Sequence, residues 1–84
     1  MQQLPKEARE TAALGAMTVA IKAQRALGAV GITAEVIALS PSQTRRGCAY
    51  GVAYPLSQKE SARRALRRER ISASEYLGEH YGLS

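Results

Sequence analysis

Seven consecutive residues, Cys48-Ala49-Tyr50-Gly51-Val52-Ala53-Tyr54, alternate large and small side chains without a break. Successive side chains of a strand point to opposite faces, so Cys48, Tyr50, Val52 and Tyr54 share one face, and Ala49, Gly51 and Ala53 the other. A helix can approach closely on the small face and leave the tyrosines on an open sheet face, or helices can lie over the tyrosines. The residues alone leave both arrangements open. Pro55, which lacks an N–H, ends the strand.

The rest of the chain is organised around that strand. Met1 to Glu10 is polar, carries Pro5 and reads as a mobile lead-in, and Thr11 to Leu14 forms a short strand before Gly15. From Thr18, Val19, Ala23, Ala26, Leu27 and Val30 fall on one helical face, while Lys22 and Arg25 point outward. Thr18 is placed to cap that helix. Gly31 is placed to end it in a left-handed conformation.

Thr33 to Leu39 is rich in β-formers, and Ser40-Pro41-Ser42-Gln43 breaks it. A loop through Arg45 and Arg46 then leads to Cys48. Ser57-Gln58-Lys59-Glu60 has the capping-box pattern of a helix start. That second helix buries Ala62, Ala65 and Leu66, while Lys59, Arg63, Arg64, Arg67, Arg68 and Arg70 make the remainder cationic. Ile71 to Tyr76 returns as a last strand.

The order β-α-β-β-α-β predicts an α+β fold, a small two-layer α/β sandwich of split βαβ, ferredoxin-like character. Residues 1–9 are expected as a flexible lead-in, 10–77 as a single α/β domain and 78–84 as a C-terminal tail.

With 84 residues, 45% of them hydrophobic but none Phe or Trp, the core is thin. Domains of this size bury only roughly 60% of the surface their unfolded chains expose, so an oligomer or a larger complex would help this one. No run approaches the ~20 apolar residues needed to span a bilayer, and the start lacks the pattern of a secretory signal. The expectation is a cytoplasmic protein without a membrane role. A net charge of +5 favours acidic partners, nucleic acid among them.

One cysteine makes neither an internal disulfide nor a structural zinc site, yet it suffices for a nucleophile or carrier. Free cysteine is also among the most buried residue types, so a structural Cys48 is the competing reading. His80 has no second histidine and no ligand cluster around it, so no metal is expected. With no Ser/His/Asp arrangement and no glycine-rich phosphate loop, no cofactor and no conventional enzyme site are expected.

Ala20-Ile21-Lys22-Ala23-Gln24-Arg25-Ala26-Leu27, then Gly31-Ile32, the Pro41 loop and Gly47-Cys48-Ala49-Tyr50-Gly51-Val52-Ala53-Tyr54 resemble a family of small bacterial selenium/sulfur carrier-like domains of unknown function. The resemblance spans roughly residues 10–76. The chain departs from the family pattern at Gly47, where serine is usual, and at Ala49, where glycine is usual. Ala16-Met17-Thr18-Val19 replaces a polar turn that carries a histidine in the family.

The resemblance implies a thiol-bearing accessory protein, a carrier or adaptor more than a conventional catalyst. Cys48 is the sulfur or selenium acceptor in that reading, and donor and acceptor proteins are its partners. Positive charge favours thiolate over thiol, so Arg45 and Arg46 are candidate supports for an anionic persulfide.

Two alternatives stand beside it. The first is an interaction subunit of a larger complex with a structural Cys48, in which Arg63, Arg64, Arg67 and Arg68 dock an acidic protein, or Tyr50 and Tyr54 bury against a partner. The second is a nucleic-acid-binding module using Lys59, Arg63, Arg64, Arg67, Arg68 and Arg70. No aromatic is interleaved with those arginines, so base stacking lacks support.

Overall fold

The computed structural model describes residues 8–40 and 49–81. Four antiparallel strands form one sheet in the order β2-β3-β1-β4, with β1 Ala8–Gly15, β2 Glu35–Ala38, β3 Tyr50–Pro55 and β4 Glu75–Tyr81. Helix α1 (Met17–Ala29) connects β1 to β2, and helix α2 (Lys59–Arg68) connects β3 to β4. The fold is therefore small and α+β. In the sheet, β3 lies between β1 and β2, and β1 lies between β3 and β4. Among the described residues no helix is long and apolar enough to cross a membrane.

The large face of β3 is the one the helices cover. Val52 and Tyr54 are buried in one cluster with Ala23 and Leu27 of α1 and with Ala62, Ala65 and Leu66 of α2. Tyr54, at 1% exposed, is therefore not a partner-binding surface residue, and Tyr50 is half-buried at the strand's start. Each large aliphatic side chain in this layer contributes about 1.5–3 kcal/mol by burial. Alanines fill the helix–helix and helix–sheet contacts, which lets the two layers close without Phe or Trp.

The opposite face carries the small side chains. Thr11 and Ala13 of β1 lie beside Gly51 and Ala53 of β3 in the pairing register. A Cβ on Gly51 would sit 2.6 Å from the Ala12 carbonyl oxygen and 3.0 Å from the Leu39 side chain. The small residue at 51 is thus set by the close approach of β1 and of Leu39.

Several boundaries differ from those the sequence suggests. β1 starts at Ala8, so Glu10, read as part of the lead-in, is a buried strand residue. α1 starts at Met17 after Ala16 with no side-chain cap, so Thr18 lies inside its first turn. Val30 and Gly31 do end it, with Gly31 at φ 82 and the Ile32 N–H donating to the Leu27 carbonyl.

The Ser57–Glu60 capping box does not form. The chain leaves Pro55 through a single 3-10 turn, Leu56–Gln58, and α2 begins at Lys59 with no side-chain cap. β4 begins four residues later than Ile71, because Ile71 is needed in the core and its N–H closes α2 on the Leu66 carbonyl. β4 then continues to Tyr81, and His80, read as a tail residue, pairs in register with Arg9.

Two glycine substitutions test this packing in opposite directions. Gly51→Ala is expected to destabilise the protein by about 1–3 kcal/mol, because backbone and side chain both block the new methyl group. Gly28→Ala, with open space around it inside α1, is expected to stabilise by about 0.5–1 kcal/mol. Urea denaturation midpoints of the two variants check both signs.

Candidate functional site

One end of the sheet collects the features on which the thiol chemistry would depend. β1 leaves the sheet at Gly15 opposite Tyr50, where β3 enters, and β4 enters at Glu75 opposite Ala13. The N–H of Leu39 donates to the Ala49 carbonyl at 2.7 Å, which closes the β2–β3 hairpin at that same end. The N–H and the hydroxyl of Ser74 both donate to the Ala13 carbonyl, at 2.9 and 3.2 Å, and anchor the α2–β4 turn there. The β1–α1 turn, the ends of the β2–β3 connection and the α2–β4 turn are thus neighbours.

Charges of both signs meet at this end, where Glu69 and Glu75 accompany the arginines that end α2. The amino terminus of α1 points out of it with no acidic residue in the first turn and no side-chain cap. Arg67 and Arg68 occupy the last turn of α2, and Arg70 follows in the turn, exposed and with φ 60, a left-handed backbone that a side chain adopts only at a cost. Cys48, Arg45 and Arg46 lie outside the described residues. Cys48 directly precedes the exposed Ala49 in the chain.

The arginines of α2 divide into two groups. Arg63, read as a partner-binding residue, turns inward: its guanidinium pairs with both oxygens of Glu10, Nε donating at 3.0 Å, and stacks 4.1 Å from the centre of the Tyr76 ring. Arg64, Arg67 and Arg68 are exposed, and among the described residues none of them forms an ion pair. These three remain available to an anionic partner.

Glu10 is the residue that reading the sequence missed. Period two places it on the helix-facing side of β1 with Ala12 and Leu14, and its carboxylate is buried between β3 and α2. The Tyr54 hydroxyl donates to it at 2.5 Å. Burial alone would raise its pKa, but the hydrogen bonds from Arg63 and Tyr54 and the charges of Arg63 and Lys59 outweigh burial and hold it below the ordinary carboxylate value. The phenol of Tyr54 is pushed well up by burial and by its bond to Glu10, so it stays protonated. Arg63 is raised by the same pairing. The cluster is an ion-pair lock between sheet and helix, with no free nucleophile or proton acceptor.

Among the described residues no group of three or more His, Cys, Asp or Glu is placed to hold a metal ion.

The lock has a pH signature. A carboxyl whose folded pKa is depressed contributes stability above its unfolded value, about 4.3, and that stability is lost as pH falls through the folded value. Glu10→Gln is expected to cost about 1–3 kcal/mol at neutral pH and to flatten the acid limb of the stability curve. Tyr54→Phe is expected to cost about 1–2 kcal/mol and to keep that limb. Urea midpoints measured from neutral pH downward check both.

Comparison with family models, with curated proteins and with solved structures finds no match to this chain.

Proposed function

We propose that this chain is a thiol-bearing accessory protein in which Cys48 accepts and carries sulfur or selenium between a donor and an acceptor protein. The observation that carries the reading is the placing of three arginines and the amino terminus of α1 at the sheet end to which Cys48 is tied through Ala49. The uncapped amino terminus of α1 and the cations Arg67, Arg68 and Arg70 share that end. A helix amino terminus and nearby arginines both favour thiolate over thiol, and both favour an anionic persulfide. Arg45 and Arg46 add charge within the same connection.

The step is a redox-neutral sulfur transfer. The Cys48 thiolate attacks the terminal sulfur of a donor protein's persulfide, a new S–S bond forms, the donor's S–S bond breaks, and the donor leaves as a thiolate. Transfer to the acceptor repeats the exchange from Cys48. A cytoplasmic setting, in which a lone thiol stays reduced, suits this chemistry.

The strand order also supports the finer fold reading, a ferredoxin-like split βαβ arrangement. Each helix connects two strands that are separated by one strand of the other unit. The resemblance to the selenium/sulfur carrier-like domains rests on the sequence Ala20 to Leu27, Gly31-Ile32, Pro41 and Gly47 to Tyr54.

The test is alkylation of Cys48 against pH on the native protein and on the unfolded chain, with intact mass after exposure to a persulfide donor. Faster alkylation of the native protein at neutral pH and a mass increase of one sulfur atom are expected. Arg67→Gln with Arg70→Gln should slow the native reaction roughly two- to fivefold at pH 7. A native Cys48 that is protected and takes up no sulfur would return the residue to a structural role and the chain to an interaction subunit.

A further inference from the structure

The two helices leave a second cationic feature on the outside of the molecule. Ser61, Arg64, Ala65 and Arg68 line a cleft of about 170 Å³ whose other wall is Val30, just beyond the end of α1. The four α2 positions recur at three- and four-residue intervals and so form one stripe on the helix. Arg64 and Arg68 stand one turn apart, about 6 Å along the axis. The cleft is lined by no carboxylate, and among the described residues Glu60 and Glu69 form no salt bridge with either arginine.

A cleft that offers two guanidinium groups and a hydroxyl has the donors that a tetrahedral dianion accepts. Its remaining walls, Val30 and Ala65, are apolar, and Val30 is 48% exposed. Two of the carbonyls at the end of α1, which would repel an anion, are occupied: Gly28 accepts from Gly31, and Leu27 from Ile32. The volume is that of a single small group and not of an extended backbone track.

We propose that this cleft binds the phosphoryl group of a small phosphomonoester, with Arg64 and Arg68 chelating the phosphate, Ser61 donating a further hydrogen bond, and Val30 and Ala65 receiving the apolar portion of the ligand. The site does not contain Cys48 and goes beyond the sulfur-transfer reading, with which it shares only Arg68.

The experiment titrates inorganic phosphate and phenyl phosphate into the full chain at fixed ionic strength, with sodium chloride as the reference, and follows amide chemical shifts by NMR. Saturable shifts centred on residues 30, 61, 64, 65 and 68 are expected, with phenyl phosphate binding more tightly than phosphate. Arg64→Gln and Arg68→Gln should each weaken binding about tenfold. Arg67→Gln, on a neighbouring face of α2 and outside the cleft, should leave it unchanged. Because all three arginines are exposed, the variants are expected to keep the fold, which far-UV circular dichroism verifies.

Three results would overturn the proposal. The first is the absence of saturation beyond the chloride reference. The second is an equal loss in Arg67→Gln, which would mean a diffuse cationic field. The third is a single-stranded oligonucleotide binding more tightly in proportion to its length, which would give the helix to a polyanion. Loss of sulfur loading in Cys48→Ser with phosphate binding intact separates this site from the thiol reading.

Discussion

The Glu10 carboxylate is buried where β1, β3 and α2 meet, and the arrangement of the layers depends on its being satisfied. Removing a charge from water costs several kcal/mol unless good geometry compensates for it. Here the compensation is a two-point guanidinium, a phenol and the stacking of that guanidinium on Tyr76. Glu10 and Arg63 are 53 positions apart, so neither half of the chain satisfies the charge alone. The pair fixes how α2 lies against β1 and β3, across apolar contacts to which α2 contributes two alanines and one leucine.

This explains how much of the molecule was legible in its residues. The strand at Tyr50–Pro55, the helix ended by Gly31 and the cationic second helix all follow from local patterns that tertiary packing leaves intact. The element order and the α+β class follow from them. Local reading could not decide which face of β3 the helices cover. Tyr54 settles it, because a buried phenol needs a partner and Glu10 supplies one on the helix side. Glu10 itself was hidden by its neighbours, since Arg9 and Glu10 together read as solvated lead-in. The signal that was available is its spacing from Ala12 and Leu14, which places it on the helix-facing side.

The helix starts misled for a related reason. Thr18 and Ser57 carry good capping side chains, yet neither caps, because strand lengths fix where each helix must begin. β1 runs to Gly15, so α1 starts at Met17 and Thr18 arrives too late. Pro55 leads into a 3-10 turn, so Ser57 is used before α2 opens. Of the candidate site, the cationic residues were legible by composition, but their division was not. Arg63 serves the core while Arg64 and Arg68 serve the surface, a distinction made by their angles around α2 once its buried stripe is known.

The left-handed backbone at Arg70 has a consequence for how the molecule balances stability against charge. Glycine occupies that conformation freely, whereas arginine does so only under strain. The turn therefore spends stability at a place where the sequence had an inexpensive remedy, and it does so in a domain small enough for such a sum to matter. The exposed Arg70 side chain is left at the end of the sheet where β4 is about to begin. A glycine there would relax the turn and remove one of the twelve cationic side chains, so stability and net charge are set against each other at this position.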